Sequence, residues 1–243
     1  MNVLFSVLIA LGTLTLVFYI REKIKAYSVK AVLIKSVVSV LFLAVAVCGA
    51  FSSDAAATFS VPALRMAALV IVGQIFGLLG DIWLDFKYVF PKEDKPFTYA
   101  GFTVFGVGHV LFLIGLLLRF FPKGKPLYVI VPILLGVLVS AGNLLLEKKM
   151  KLDFGKMRAV VFVYGVLLFS VVALSGSLAL YNRGRAVPLD LFFIGAVLFA
   201  ASDFVLSGTY FGKGKERTID IILNYATYYP AQFLIASSLL FLS

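Results

Sequence analysis

Four ionisable side chains interrupt apolar runs of this 243-residue chain: Lys35, Asp81, His109 and Asp203. Each run is long enough to cross a bilayer, where a charged group costs roughly 2.5–3.5 kcal/mol. Groups held at that cost are candidates for function. Two carboxylates, one imidazole and one amine in apolar surroundings can move protons, bind a cation or hold an anionic group. Asp81 falls three residues, ~4.5 Å, from the end of its run, and Asp203 falls seven residues, ~10 Å, from the end of its own. Asp81 can therefore also be read as a carboxylate that reaches the interface, a reading less open to Asp203. Asp81 shares a helical face with Gln74, Gly77 and Asp85, at spacings of seven, four and four. Lys35 lies about one turn inside its run, where it can snorkel outward, hold a lipid phosphate or balance the carboxylates. His109, the single histidine, stands between Phe105 and Phe112, a place for a packing residue or a catalyst. No HExxH or other ligand pair accompanies these groups, and no metal site is expected.

A second polar group stands in the last run: Tyr225, Tyr228, Tyr229, Pro230 and Gln232. Tyrosine favours membrane interfaces, so a mid-depth cluster reads as either a polar cavity wall or aromatic packing. Pro230 removes one helical hydrogen bond and frees the carbonyl of Ala226. Tyr164 is similar but isolated. Asp85, Asp190 and Asp220 stand at the ends of runs and read as interfacial.

The elements that must position these residues follow from composition. Hydrophobic residues make up 62% and charged residues 14%, with a mean hydropathy of +1.05. Soluble domains carry roughly 45–50% and 25%, so a soluble enzyme is excluded. Eight apolar segments are legible, at about 2–20, 29–50, 64–84, 99–119, 126–146, 158–181, 189–210 and 218–242. The expectation is an all-α, single-domain bundle of eight transmembrane helices. Gly73 and Gly77 form a GxxxG pair, which favours close helix packing.

Fifteen Lys and Arg residues lie in the first, third, fifth and seventh loops, against six in the even loops. The positive-inside rule then puts the odd loops in the cytoplasm and both termini outside. The first segment lacks a preceding basic residue and is followed by Arg21, Lys23 and Lys25, which reads as an uncleaved span and not as a signal peptide. The net charge of +10 sits between apolar runs and not along one face. Topology and anionic headgroups explain it better than nucleic acid does. Cys48 is the lone cysteine, so no intrachain disulfide or CxxC site is available.

An internal echo accompanies this pattern. GDIWL at 80–84 is matched by SDFVL at 202–206, with the aspartates 122 positions apart, and His109 and Gln232 are 123 apart. Two readings stand: a duplicated four-helix half, or chance similarity between apolar helices.

Taken together, the chain resembles the YhhN-type lysoplasmalogenases, eight-span membrane proteins of about this size. The resemblance is carried by Lys35, Gly80-Asp81 with Leu84, and Gly101, Phe105, Gly108 and His109. Further carriers are Tyr164, Ser202-Asp203 with Leu206, and Tyr229, Ala231 and Gln232. Each motif is short; their order and spacing are together fairly specific. The family often has Lys-Pro in the second span, where this chain has Lys35-Ser36.

The resemblance implies hydrolysis of the vinyl ether of lysoplasmalogens to a fatty aldehyde and a glycerophospho-ethanolamine or -choline. It implies a lysophospholipid substrate, no cofactor, no obligate protein partner, and residence in a bacterial cytoplasmic membrane. Such chemistry needs a proton donor and a group that accepts a proton from water, roles that two carboxylates in unlike surroundings can divide. The expected assignment is Asp203 as the deeper acid and Asp81 as the base that water reaches. His109, Tyr229 and Gln232 would orient water or the glycerol hydroxyls, and Lys35 would face the phosphate. Two other classes stay open: a proton-coupled transporter or flippase of small amphiphiles, for which buried Asp and His and a proline-broken helix are also signatures, and a non-catalytic lipid-binding protein.

Overall fold

A computed structural model describes residues 3–51, 60–212 and 217–242. These form eight α-helices: α1 (Val3–Lys25), α2 (Val29–Phe51), α3 (Val61–Val89), α4 (Asp94–Phe120), α5 (Leu127–Leu146), α6 (Arg158–Asn182), α7 (Val187–Phe211) and α8 (Thr218–Ser238). Among the described residues there is no strand, and one isolated antiparallel bridge joins Leu152 to Gly212. The helices α1 to α7 are each long and apolar enough to cross a membrane, and the chain is an integral membrane protein. Helix α8, with 21 residues, is the more polar one, because it carries Asn224, the three tyrosines and Gln232. Lys213 and Lys215, two of the odd-loop basic residues, lie outside the described residues.

Each expected segment corresponds to one helix, and the largest differences are at the ends. Helix α1 continues to Lys25, and α3 runs from Val61 to Val89 where 64–84 was expected. Hydropathy marks only the apolar part of a helix. The polar turns beyond it stay helical here because Lys23 and Asp85, one on each helix, are paired with each other inside the bundle. Asp220 behaves as a span-end carboxylate: in the first turn of α8 it accepts from the Arg217 backbone N–H and pairs with the guanidinium.

Six helices close a ring in the order α2, α3, α4, α6, α7, α8 and back to α2. Helix α1 lies outside the ring against α2 and α8, and α5 lies outside it against α6. A shift of four helices maps the pair α1–α2 onto α5–α6, α2–α3 onto α6–α7, α3–α4 onto α7–α8, and α8–α2 onto α4–α6. The internal echo is thus a repeated packing arrangement. Its closest contacts repeat as well: a Cβ on Gly108 would come within 2.9 Å of the Gly73 carbonyl oxygen, and a Cβ on Gly195 within 2.9 Å of the Ala231 carbonyl oxygen. Gly73 and Gly195 are 122 positions apart, and Gly108 and Ala231 are 123 apart. Lipid tails are as apolar as leucine, so helices associate through such close approaches of small residues and through interhelical hydrogen bonds.

At one end of the bundle the ends of α1, α3, α5 and α7 come together. Tyr88 of α3 packs on Tyr210 of α7. The connection after α5 folds back onto the end of α7, where the Asp153 N–H donates to the Phe211 carbonyl at 2.9 Å and Phe154 stacks edge-on against Phe211. This end carries Lys87, Lys148, Lys149, Lys156 and Arg158 and is called the basic end below.

The glycine contacts are testable. Gly108→Val and Gly195→Val should each destabilise the protein by about 1–3 kcal/mol, the usual cost of overpacking a closed contact. Gly142→Val, at a position with no neighbouring atom within 4 Å, should stay within about 0.5 kcal/mol of the parent. Thermal unfolding in detergent micelles measures all three.

Candidate functional site

The polar residues of α3 organise the interior. Asp81 and Asp85 are one helical turn apart, and both carboxylates point into the bundle, 2% and 1% exposed. Lys35 of α2 lies between them, its Nζ at 3.3 Å from Asp81 Oδ1 and 3.3 Å from Asp85 Oδ1. Lys23 of α1 completes the group at 2.9 Å from Asp85 Oδ1. Two ammoniums thus face two carboxylates inside the bundle. Hydroxyls satisfy the remaining carboxylate lone pairs. Ser39 donates to Asp81 at 2.6 Å and Tyr228 at 2.9 Å; Tyr19 donates to Asp85 at 3.0 Å. Buried ion pairs are tolerated only when such additional hydrogen bonds are made.

These contacts correct two sequence expectations and choose among the readings open for Lys35. Asp85 is not interfacial, and Lys23 is buried and not a loop charge. Lys35 does not snorkel. It is buried and balances the two carboxylates. Where the resemblance led to a Lys-Pro step, the Ser36 hydroxyl bonds back to the Val32 carbonyl at 2.9 Å and α2 runs on unbroken.

Asp203 has different surroundings. It is half-buried on α7, and Tyr164 of α6 donates to its Oδ2 at 2.5 Å. Among the described residues no cation lies within ion-pair distance of it. Behind Tyr164 stands His109, with Nε2 at 3.4 Å from the Tyr164 hydroxyl and its ring edge-on to Phe199. The His109 Nδ1 atom is buried and makes no hydrogen bond among the described residues. The expected difference in depth is not what separates the two aspartates: each lies eight residues from the end of its helix. They differ in enclosure, since Asp81 is buried beneath Lys35 and Ser39 of α2 and Tyr228 of α8, while Asp203 is half-buried.

The two carboxylates nevertheless line one small cavity. Asp81, Asp203, Lys35, Tyr164, Tyr228 and Asn224 contribute its polar lining. It reaches toward the basic end at Tyr210, whose ring carries the Lys87 ammonium at 3.4 Å from its centroid. His109, Tyr229 and Gln232 do not line it. Tyr229 sits behind Ser39, at 3.4 Å from its hydroxyl. Gln232 donates to the Tyr228 hydroxyl at 3.1 Å and is itself held by Gln74 through its backbone carbonyl at 2.8 Å. These three residues position the lining and do not form it. Sequence reading undervalued Tyr164, Tyr228, Ser39 and Asp85. The signal available for Asp85 was its four-residue spacing from Asp81, which puts both on one helix face.

The family model of the YhhN family matches residues 30–239. The chain belongs to the YhhN family. The match runs from the start of α2 to the end of α8 and takes in both aspartates, Lys35, Tyr164 and Tyr228. No curated protein and no solved structure matches the chain.

Among the described residues no three His, Cys, Asp or Glu side chains converge as a metal would require. What this YhhN-family cavity brings together is one ion-paired carboxylate, one carboxylate held by a single phenol, and further hydroxyls between them. That arrangement can give a proton from one wall and hold positive charge or water at the other.

The charge group makes a prediction. Asp85→Asn leaves Lys23 and Lys35 sharing one carboxylate and should cost about 3–5 kcal/mol, the penalty for breaking a buried pair. The double change Asp85→Asn with Lys23→Met restores neutrality and should recover most of that loss. Thermal unfolding in micelles decides; an equally unstable double variant would show that charge balance is not what the group supplies.

Proposed function

We propose that this protein is a membrane hydrolase that cleaves the vinyl ether of single-chain ether phospholipids, as the YhhN resemblance implies. The observation that carries the proposal is the shared cavity, lined from one side by Asp81 and from the other by Asp203. A vinyl ether is opened by protonating the alkene carbon remote from oxygen, which leaves an oxocarbenium-like cation. Asp203, with no cation beside it, donates that proton. Asp81, ion-paired with Lys35, stabilises the positive charge and accepts a proton from the water that attacks the carbon next to oxygen. The hemiacetal then loses its glycerol oxygen, which takes a proton, and the products are a fatty aldehyde and the glycerophospho compound. Paired carboxylates divide the same roles in glycoside hydrolysis. The roles match the sequence assignment, but the reason differs: counter-charge separates the two aspartates, and depth does not.

Tyr164 orients the Asp203 carboxyl and is backed by His109, while Tyr228 and Ser39 orient Asp81. In this reading all eight helices cross the membrane, both termini lie outside, and the basic end faces the cytoplasm. A lysolipid of the inner leaflet then keeps its headgroup near Lys87 and Tyr210.

A second reading, a carrier or flippase of amphiphiles, draws on the repeated four-helix packing, since transporters are often built from such repeats. One assay separates the two. Purified protein given a lysoplasmenyl lipid should release free aldehyde, and Asp81→Asn and Asp203→Asn should each lower the rate by about 10²–10⁴-fold, the usual contribution of general acid–base catalysis. Movement of intact lipid across proteoliposomes with no aldehyde formed would decide for the carrier.

A further inference from the structure

A second space adjoins the polar cavity. Between α5, α6 and α7 lies a cleft walled mainly by apolar side chains such as Leu168, Phe169, Ala200 and Phe204. It extends along α7 from Ala200 to Phe211, or roughly 16 Å at ~1.5 Å rise per residue. Phe154 and Phe211 close it at the basic end. Its outer wall is α5, which is largely exposed on its far side and packs on α6 through Ser140 against Gly165.

Four residues line both this cleft and the polar cavity: Phe102, Tyr164, Asp203 and Leu206. They form the boundary between an apolar space and a polar one, and Asp203 is the one ionisable group among them. A molecule that occupied both spaces would carry its own polar–apolar junction at this boundary. In a single-chain ether lipid that junction is the bond between chain and glycerol.

We propose that the α5–α6–α7 cleft is the hydrocarbon-chain site of the substrate, and that this seating places the bond to be cleaved at Asp203. The proposal rests on the hydrolase reading above and adds the chain site to it. A third space, the groove between α4 and α6 along Gly106, Val107, Val110 and Val163, touches Phe102 and Tyr164 but not Asp203. A chain lying there would not bring its head-proximal bond to the carboxylate.

The test uses a hexadecyl lysophospholipid with a saturated, uncleavable ether and a diazirine in the chain. It is photolysed on the full-length protein in detergent, and the adducts are mapped by mass spectrometry. Adducts on Leu168, Phe169, Ala200 or Phe204, competed by unlabelled lysolipid, are expected. Adducts on Val107, Val110 or Val163 instead, or labelling that is not competed, would overturn the proposal. In parallel, Ala200→Phe should raise KM at least about tenfold for a hexadecenyl and an octenyl substrate alike, as expected for a filled apolar pocket one helical turn from Asp203. Gly106→Leu, which fills the other groove, should leave both unchanged. An unchanged KM for both chain lengths in Ala200→Phe would count against the cleft. Because photolabelling needs no turnover, competed labelling of the cleft without aldehyde release keeps the chain site and removes the hydrolase. Aldehyde release with labelling elsewhere does the reverse.

Discussion

Two lysines and two aspartates buried together set the terms for the rest of this membrane bundle. An unpaired ion in low dielectric is prohibitively costly, so Lys23, Lys35, Asp81 and Asp85 hold α1, α2 and α3 in one relative placement. Changing that placement by a fraction of a helical turn would separate charges that nothing else nearby can replace. The tyrosines of α8 then close over the group, with Tyr228 on Asp81 and Tyr225 at 3.5 Å from Asp85. One consequence is chemical: Asp81 is held by a cation and two hydroxyls, and its freedom to exchange partners is small.

The repeated packing shows how the second aspartate came to differ. Asp81 and Asp203 occupy corresponding places on α3 and α7, and the contacts of Gly73 and Gly195 confirm the register. Yet the surroundings have diverged. The helix beside Asp81 supplies Lys35 and Ser39, and the corresponding helix beside Asp203 supplies Tyr164. At the matched positions behind them stand Gln232 and His109, each contacting a phenol, Tyr228 beside Asp81 and Tyr164 beside Asp203. One framework thus holds two carboxylates in unlike electrostatic settings, the requirement for dividing acid and base work between them.

Much of the helix layout was legible in the sequence because the bilayer constrains it severely. Only continuous apolar helices satisfy the backbone in lipid, so the number of helices and most of their boundaries follow from hydropathy. That Lys35, Asp81 and Asp203 turn inward to one cavity was open to expectation for the same reason. What hydropathy could not supply was which polar groups face each other. Asp85 and Lys23 lie at helix ends, where a charge normally reaches water, and nothing local separates an interfacial charge from a buried one paired 62 residues away in sequence. Tyr164 is a lone tyrosine in an apolar helix until α7 brings Asp203 to it. The unequal enclosure of the aspartates was hidden likewise, since exposure depends on which neighbouring helices close over a residue and not on its distance from a helix end.

Lipid access and charge burial pull in opposite directions in such a protein. A hydrolase acting on a membrane lipid must open its site to the bilayer, yet an open site would expose ion pairs to hydrocarbon. The two-chamber arrangement resolves this by separating the tasks. The charge group stays behind α1, α2 and α8, and the opening lies on the opposite side, along peripheral α5, which packs on α6 and leaves the ring intact. Among the described residues Asp203 pairs with no cation, so the boundary between the two spaces carries no ion pair. A polar group held there by one phenol costs less beside hydrocarbon than a charged pair would.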